Sequence, residues 1–192
     1  MHYSEIPLIL ENIARMLGDR GIPNVMPPDE ARDAFNEETF AADLGTHQVK
    51  FINKKVTTKK SNNLHHFLDE MIGKPNIVVV SNINSKTYAS IRNEYIDTEI
   101  FFAKELLFHI MDCDIMSHHV VLSQAESAKV LEEYTKNKHN LPRILTTDRV
   151  ARHYNMQINQ ICAIYRNSRV SGSSKCYRLV TRAPWDTLPN FE

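Results

Sequence analysis

The sequence has few of the residues that build phosphate-binding loops, disulfide frameworks or membrane spans. Its 192 residues include 5 glycines, 3 cysteines and 1 tryptophan. No glycine-rich phosphate-binding motif and no G-x-S-x-G motif occurs. Cys113, Cys162 and Cys176 never take a C-x-x-C spacing, which argues against a zinc finger or a disulfide framework and predicts a reducing, intracellular environment. The longest apolar runs, such as Ile77–Val80, are far too short to span a bilayer, so we expect no membrane insertion.

The chain has no net charge, because 23 Lys and Arg balance 23 Asp and Glu. This balance argues against a free-standing nucleic-acid-binding protein, since such proteins carry a basic excess. The two halves of the sequence, however, have net charges of opposite sign. Residues 1–115 contain 12 Lys and Arg against 17 Asp and Glu, whereas residues 116–192 contain 11 against 6. The division favours two modules with different neighbours, with chance as the alternative.

The first half of the sequence alternates helical and strand patterns. Apolar residues recur at helical spacing over 6–17, where Ser4 can cap the helix and Gly21 can end it, and a weaker helical stripe covers 31–44. The other predicted elements are strands at 48–52, 77–80 and 99–102 and helices at 61–73 and 85–95. The β-branched run at 77–80 is typical of a strand inside a sheet with helices on both faces. This half therefore predicts an α/β domain with a mixed sheet and flanking helices.

The second half has clearer start and stop signals. Ser123 and Glu126 form a capping box, in which each side chain accepts a hydrogen bond from the backbone N–H of the other residue. Asp148 is placed to cap a short second helix, and Asn155 to end it in the left-handed conformation. Strands are predicted at 120–122, 161–166 and 175–181, the last two joined by a turn that contains Gly172. This half predicts a small α+β domain.

Asp43 and Lys50 are the main catalytic candidates. An aspartate followed by an acidic-x-Lys strand in an α/β domain resembles metal-dependent nucleases of the restriction-enzyme type, in which two carboxylates hold a divalent ion that activates water. Here Gln48 stands at the place of the second carboxylate, and a neutral amide is a poor magnesium ligand. The interval from Asp43 to Gln48 also looks too short for two strands and a turn. A magnesium nuclease is the enzymatic alternative; otherwise we expect no catalytic residue, no metal and no cofactor.

The basic residues of the second half are mostly arginine. They are Arg143, Arg149, Arg152, Arg166, Arg169, Lys175, Arg178 and Arg182. Arginine forms bidentate pairs with carboxylates and phosphates, which suits a protein interface as well as nucleic acid. No aromatic residues alternate with these charges, as a single-strand binding groove would require. We favour an interface with an acidic protein surface, with a solvated face as the alternative.

Several ordered segments of the second half resemble a known family. These segments are His119–Ser123, Glu126, Leu131, Tyr134, Asn140–Ile144, Asp148–Tyr154, Ile164–Ser168, Gly172 and Tyr177–Val180. Together they are similar to the C-terminal domain of the fifth subunit of eukaryotic nuclear RNA polymerases and to the archaeal homologue of that domain. Each piece is ordinary, but the ordered set is specific.

The first half resembles the eukaryotic jaw domain of the same subunit. The similarity lies in the opening helix that ends at Gly21, the strand at 77–80 and the segment 100–107. The resemblance implies an N-terminal jaw domain at 1–115 and a C-terminal assembly domain at 116–192. It implies a non-catalytic structural subunit of a multisubunit DNA-dependent RNA polymerase that is not a homo-oligomer.

The same resemblance implies the partners. The C-terminal domain would dock on the largest polymerase subunit, beside other subunits, and the jaw domain would lie near downstream duplex DNA. The expected partner interface is His119, Leu141, Pro142, Arg143, Ile144, Asp148, Arg152, Arg166, Ser168, Gly172, Tyr177 and Arg178. The residues expected nearest DNA, through weak and sequence-independent phosphate attraction, are Lys54, Lys55, Lys59 and Lys60. A stand-alone DNA-binding regulator is the alternative among binding proteins.

The sequence departs from the family pattern in turns and on surfaces. Asn155 and Asn159 stand where the family has glycine, and asparagine tolerates the left-handed conformation such turns need. A basic pair of the family is Gln157-Ile158 here, and Ser117-His118 replace a proline and a glutamate. Such drift is similar to that of copies carried by large cytoplasmic DNA viruses, which predicts the host cytoplasm and the virion as the location. A cellular copy would lie in the nucleus.

Overall fold

The structure is a computed structural model that describes residues 2–58, 64–135, 137–168 and 172–182, with the backbone alone at 167–168. The chain divides into two units, residues 1–109 and 110–192. Each unit is built around its own β-sheet. Within the described ranges, no helix combines the length and the hydropathy needed to traverse a bilayer.

The N-terminal unit contains a mixed sheet with the strand order β1-β2-β3-β4-β5. Its strands are Phe35–Asn36 (β1), Ala41–Asp43 (β2), Gln48–Ile52 (β3), Asn76–Val80 (β4) and Thr98–Phe102 (β5). β1, β2 and β3 are antiparallel neighbours, whereas β3, β4 and β5 run parallel. Parallel strands need crossover connections, and α3 (Leu64–Glu70) and α4 (Ser85–Glu94) lie in them. The predicted mixed sheet with flanking helices is confirmed.

Strand β4 lies between β3 and β5, and every one of its residues is buried. Ile77 and Val79 belong to the core built around helix α1 (Ile6–Asp19). Val78 points to the opposite face, because side chains alternate along a strand. Its register partner Lys50 places its ammonium 5.8 Å from the ring centre of Phe67 in α3. Helices thus cover both faces, as the β-branched run predicts.

Helix α1 begins later than the sequence predicts. Ser4 lies in a 3₁₀ turn, Tyr3–Glu5, and α1 starts at Ile6 without a side-chain cap. Pro7 explains this start, because its fixed φ and missing N–H suit the first turn of a helix. Gly21 ends the helix as predicted: its φ is 71°, and its N–H donates to the carbonyl of Gly18 at 2.8 Å.

The predicted helix over 31–44 is wrong. Only the short helix α2 (Pro28–Ala31) forms, and β1 and β2 follow it as a hairpin. Asn36 Oδ1 accepts from the backbone N–H groups of Glu38 at 2.9 Å and Thr39 at 3.2 Å, which stabilises a turn in competition with helix. Phe40 takes a left-handed φ of 50° and packs edge-on against Phe35, with ring centres 5.9 Å apart. Turn chemistry and tertiary packing override the weak helical spacing.

The C-terminal unit contains a sheet with the strand order β6-β8-β9-β7. Its strands are His118–Val121 (β6), Arg143–Leu145 (β7), Ile161–Ser168 (β8) and Gly172–Thr181 (β9). β8 and β9 form a long antiparallel hairpin, and β7 joins β9 in parallel. This hairpin is longer than predicted, because the exposed residues 173 and 174 at its outer end lack the apolar alternation that signals a strand.

The two faces of this sheet bury separate cores, one beneath each helix. Helix α5 (Gln124–Tyr134) contributes Val130 to a cluster with Leu141, Ile161, Ala163, Tyr177 and Leu179. Helix α6 (Arg149–His153) contributes Val150 and Ala151 to a cluster with Ile110, Ile144, Met156, Cys162, Ile164 and Val180. The alternation of neighbouring β8 residues between the two clusters is what a strand covered on both faces requires.

The helix signals of the C-terminal unit are confirmed. Ser123 and Glu126 form the predicted capping box at α5. Asp148 caps α6 through its side chain. Asn155 follows α6 with a left-handed φ of 47°, as the sequence predicts for an asparagine at a helix end.

Candidate partner interface

A groove of about 860 Å³ opens on the α6 side of the C-terminal sheet. Its lining comes from residues 114–119, the start of α6 at 148–150, residues 164–166 of β8, Arg178 of β9 and Ile144 of β7. Ile164 and Arg166 share this face because they are two positions apart on β8. His119 is the register partner of Ile164 and Arg178 that of Cys162, so both also face the groove.

Some of the predicted interface residues line the groove. The predicted residues that line it are His119, Ile144, Asp148, Arg166 and Arg178. They come from separate stretches of sequence and meet only through the pairing of β6, β8 and β9 and the placement of α6. Their assignment to a partner interface stays a prediction.

The remaining predicted interface residues lie outside this lining. They are Leu141, Pro142, Arg143, Arg152, Ser168, Gly172 and Tyr177. Leu141 and Tyr177 are buried in the α5-side core, so the side chains stabilise the unit itself. Gly172 has a φ of 70° at the start of β9, where a residue with a Cβ would be strained, and pairs with the backbone of Ser168. Pro142 and Arg143 are exposed at the edge strand β7.

His119 is buried beside charged groups of the groove. Its Nδ1 lies 2.6 Å from the carbonyl oxygen of Ser117, to which the ring donates. Burial lowers the pKa of His119 and outweighs the Ser117 hydrogen bond and Asp148, which raise it, while Arg178 and Arg166 lower it further. The two guanidinium groups are therefore close enough to the ring to act on it electrostatically.

Asp148 has a structural task at the start of α6. Its Oδ1 accepts from the backbone N–H groups of Val150 at 2.9 Å and Ala151 at 3.4 Å. A helix as short as α6 depends on such a cap, because the first N–H groups of a helix have no partner within it. The Asp148 carboxylate thus accepts hydrogen bonds from the backbone of its own helix.

Ile115 was not singled out by the sequence. It lies on the groove wall with 91% of its surface exposed, next to the half-buried Met116. The only signal in the sequence is an isoleucine in a short segment without helical or strand periodicity, which by itself does not indicate a site. The structure places it in the lining of the same groove as Arg166 and Arg178.

Two aromatic rings lie beside one basic residue of this unit. The ammonium of Lys175 lies 5.2 Å from the ring centre of Tyr165 and 5.1 Å from that of Tyr177. Tyr165 and Lys175 are register partners on β8 and β9, a relation that linear spacing does not reveal. Hydrogen bonds with Tyr177 and Tyr165 raise the pKa of Lys175. Because Lys175 lies over both rings, the contacts stabilise the hairpin.

Comparison with known proteins decides the family. Residues 108–180 match the model of the C-terminal domain of RNA polymerase Rpb5. The chain is also 30% identical over 191 residues to DNA-directed RNA polymerase subunit 5 of Acanthamoeba polyphaga mimivirus, with 92% of each chain covered. The chain belongs to the RNA polymerase subunit 5 family. The predicted membership is confirmed.

Other members of the subunit 5 family match over shorter lengths. The Caenorhabditis elegans protein named DNA-directed RNA polymerases I, II, and III subunit RPABC1 is 35% identical over 82 residues, which are 43% of this chain and 39% of that protein. The archaeal subunit Rpo5 of Thermofilum pendens is 33% identical over 75 residues, which are 39% of this chain and 94% of that protein. The viral relative is thus matched over both units.

In this member of the subunit 5 family, Asp43 and Gln48 face each other across the β2–β3 hairpin. The expectation that their interval is too short for two strands and a turn is wrong. The amide of Gln48 donates to Asp43 Oδ2 at 3.1 Å, and the N–H of Gly45 donates to Oδ1 at 2.8 Å. The ammonium of Lys50 donates to the carbonyl of Thr39. Asp43 and Lys50 thus stabilise local turns, and the family offers the nuclease alternative no support.

The lysine segment of the N-terminal unit is described only in part. Lys54 and Lys55 are exposed just after β3, whereas Lys59 and Lys60 lie outside the described residues. Val56 then pairs with Ile83 in an isolated bridge. Lys54 and Lys55 are therefore held close to the strand end and reach solvent.

Proposed function

We propose that this chain is a non-catalytic structural subunit of a multisubunit DNA-dependent RNA polymerase. Its C-terminal part, expected from residue 116 onward, acts as an assembly domain that docks on the largest polymerase subunit, beside other subunits. Its N-terminal part, residues 1–115, acts as a jaw domain near downstream duplex DNA. The place of action is the nucleus for a cellular copy, and the host cytoplasm and virion for a viral one.

The observation that carries this proposal is the position of the family match. The matched residues 108–180 include every strand and helix that the structure describes in the C-terminal unit, except the last residue of β9. The relatives are themselves named polymerase subunits, including an archaeal protein that is little longer than the matched region. A region that recurs alone in such a relative is the part expected to make the common contact with the enzyme.

The chemistry of the groove supports a structural task. His119 donates to the Ser117 carbonyl, and Asp148 caps α6, so both groups serve the fold. Burial raises the pKa of the Cys162 thiol to about 11, which leaves it protonated and a poor nucleophile at neutral pH. These groups therefore stabilise the fold of the C-terminal unit, which supports a structural role.

Contact of the jaw domain with DNA would be electrostatic and local. The first 115 residues carry 17 Asp and Glu against 12 Lys and Arg, so the domain as a whole repels phosphate. The exposed Lys54 and Lys55 are the described residues of the predicted lysine set that reach solvent. Attraction through them would be weak, independent of sequence and sensitive to salt.

Co-purification tests the proposed function directly. The full chain carrying an affinity tag is produced in its native cell or infected host, and its partners are identified and quantified by mass spectrometry. We expect the largest polymerase subunit in equimolar amount, in a complex that synthesises RNA on a DNA template. Recovery of the tagged chain without any polymerase subunit would refute the proposal.

A charge reversal then tests the docking side of the chain. Arg143→Glu changes an exposed residue on β7 and should reduce recovery of the largest subunit without unfolding the chain. Arg92→Glu makes the same change in charge at an exposed position of α4 and should leave recovery unchanged. Equal recovery with both variants would contradict the placement of Arg143 at the interface.

A further inference from the structure

Three aromatic side chains of the N-terminal unit form a patch that reaches solvent. Phe35 lies in β1, Phe40 directly precedes β2, and Tyr3 lies in the 3₁₀ turn before α1. The ring centre of Phe40 lies 5.9 Å from that of Phe35 and 5.7 Å from that of Tyr3, with the ring planes at 87° and 64°. Tyr3 is 56% exposed, and the other two residues are half-buried. These three residues, the aromatic patch, therefore leave ring surface open to a ligand.

The aromatic patch is anchored to the core of its unit. The ring of Phe35 packs edge-on against the buried Phe51, with ring centres 5.6 Å apart. The backbone carbonyl of Phe40 accepts from the N–H of Phe51 at 2.9 Å. Phe40 has a left-handed φ of 50°, a conformation that glycine or asparagine adopts at lower cost. The chain thus keeps a ring where a smaller residue would relieve backbone strain, and strain of this kind is common at binding sites.

The segments that carry the aromatic patch are strongly acidic. Residues 2–11 and 28–43 contain 8 Asp and Glu against 1 Arg and no Lys. That arginine, Arg32, is paired with Glu11 at 2.7 Å. From outside these segments, the ammonium of Lys50 donates to a backbone carbonyl of the loop between β1 and β2. Carboxylates therefore outnumber cations around the rings even when every one of these charges is counted, and the local potential is negative.

Glu37 and Glu38 carry the accessible part of this charge. Both are exposed in the loop between Phe35 and Phe40. Asn36 Oδ1 fixes the loop by accepting from two of its backbone N–H groups. Within the ranges that the structure describes, the side chains of the two glutamates form no ion pair and no hydrogen bond. Two available carboxylates thus lie beside aromatic rings, a combination that suits a cation able to contact both.

We propose that the aromatic patch binds a short arginine-bearing segment of a partner protein that is not a polymerase subunit. A guanidinium pairs with Glu37 or Glu38 and stacks on a ring of the patch. Arginine suits both contacts better than lysine, because its planar fork pairs with carboxylates and its flat face stacks on rings. The patch is too small for a permanent subunit interface, so the contact is transient. It lies in the N-terminal unit and does not depend on the docking of the C-terminal unit.

Nucleic acid does not suit the aromatic patch. The acidic segments around the rings repel a phosphate backbone, whereas sites that stack bases combine their aromatic residues with a basic groove that follows the backbone. A purely apolar partner would leave Glu37 and Glu38 without a counter-charge. The pairing of rings with carboxylates therefore favours a cationic protein segment.

Peptide binding to the full chain tests the chemistry of the site. The probe is a labelled peptide that alternates arginine with glycine, and its binding is measured by fluorescence anisotropy at about 0.15 M salt. Matched probes carry lysine, or the neutral arginine analogue citrulline, in place of arginine. We expect the arginine probe to bind severalfold more tightly than the lysine probe and the citrulline probe not to bind. Equal binding of the arginine and lysine probes, or no binding of the arginine probe, would overturn the proposal.

Substitutions at the aromatic patch locate the contact. Glu37→Gln combined with Glu38→Gln should weaken binding of the arginine probe about tenfold, and Tyr3→Leu about threefold, as expected for exposed charge pairs and cation–π contacts. The control, Glu132→Gln combined with Glu133→Gln, removes an adjacent pair of exposed glutamates from α5 and should bind as the unaltered chain does. If the control weakens binding as much as the patch variant, the probe responds to net charge alone and the assigned site is wrong.

Phe40→Asn separates binding from folding. Asparagine tolerates the left-handed backbone, so the urea midpoint should be kept while the ring is lost. We expect the arginine probe to bind at least about threefold more weakly. Unchanged binding would exclude the ring of Phe40 from the site and contradict the proposal. Tyr3→Leu, at an exposed position, provides the same test if Phe40→Asn does not fold.

Photo-cross-linking in the native cell or infected host identifies the partner. Tyr3 is replaced by p-benzoylphenylalanine in the full chain, and the cross-linked segments are sequenced with and without a prior high-salt wash of the isolated polymerase. We expect an arginine-bearing segment of a protein that the wash removes. The proposal fails if the cross-links lead to nucleic acid, to a second copy of this chain or to a subunit that the washed polymerase retains, or if none forms.

Discussion

At the scale of single residues, two buried histidines contribute to the response of this chain to acid. His119 lies in the groove of the C-terminal unit and His47 precedes β3 in the N-terminal unit. Burial lowers the pKa of both; for His47, Glu99 opposes this effect and Arg20 adds to it. Arg20 and Glu99 also form an ion pair with an N–O distance of 2.6 Å and an Arg20 side chain only 6% exposed.

The lowered pKa values predict that acid destabilises the fold. Below about pH 6.5 the unfolded chain takes up protons on these histidines that the folded chain resists, so the free energy of unfolding falls as the pH falls. We expect His119→Asn to flatten this dependence between about pH 7.5 and 5.5, because asparagine can still donate to Ser117 but does not titrate. Urea unfolding across this pH range measures the effect.

His139→Gln is the matched control for that measurement. His139 is exposed in the Lys138–Asn140 turn, and its side chain lies outside both cores of its unit. The pH dependence of this variant should equal that of the unaltered chain. An identical pH dependence for His119→Asn would mean that His119 is not the group responsible.

At the scale of the elements, the short helices of the C-terminal unit depend on their caps. Helix α5 buries only Val130 fully, so packing alone stabilises it weakly. The oxygen Oε2 of Glu126 accepts from the backbone N–H of Ser123 at 2.9 Å and from its hydroxyl at 2.7 Å. These hydrogen bonds, that of the Ser123 hydroxyl first, lower the pKa of Glu126. The capping box therefore decides where α5 begins.

Removing this cap should cost measurable stability. Ser123→Ala leaves the N–H of Glu126 without its acceptor, and we expect the free energy of unfolding to fall by about 1 kcal/mol. Ser123→Thr keeps the acceptor oxygen and should lose much less. Equal denaturation midpoints for the alanine variant and the unaltered chain would show that the capping box does not stabilise α5.

At the scale of the whole molecule, each unit has its own hydrophobic core. The cluster around α1 draws only on residues up to Leu107, and the clusters beneath α5 and α6 draw only on residues from Ile110 onward. A unit with its own core and sheet meets the physical requirement for folding alone. The opposite charges of the two halves fit units that face different surroundings.

We therefore expect residues 110–192 produced alone to fold. The fragment should show dispersed amide resonances and a cooperative thermal transition, since its strands and both cores are complete. It should also retain the groove. A fragment without a cooperative transition would show that the first unit is needed to fold the second.

The sequence could predict the elements whose signals are local. Ser123 with Glu126, Asp148 and Asn155 each act within a few residues along the chain, so their patterns mark helix ends directly. The buried strand β4 is equally evident, because a β-branched run suits a strand covered on both faces. Family membership likewise follows from ordered sequence segments.

Only the tertiary structure decided the features that depend on partners distant in sequence. Phe35 and Phe40 pack in a hairpin where spacing indicates helix, and Lys175 meets Tyr165 because β8 pairs with β9. The groove arises in the same way, since strand register brings His119, Arg166 and Arg178 to one face of the sheet. Local propensity along the sequence determined caps and strands, whereas long-range pairing determined which side chains share a surface.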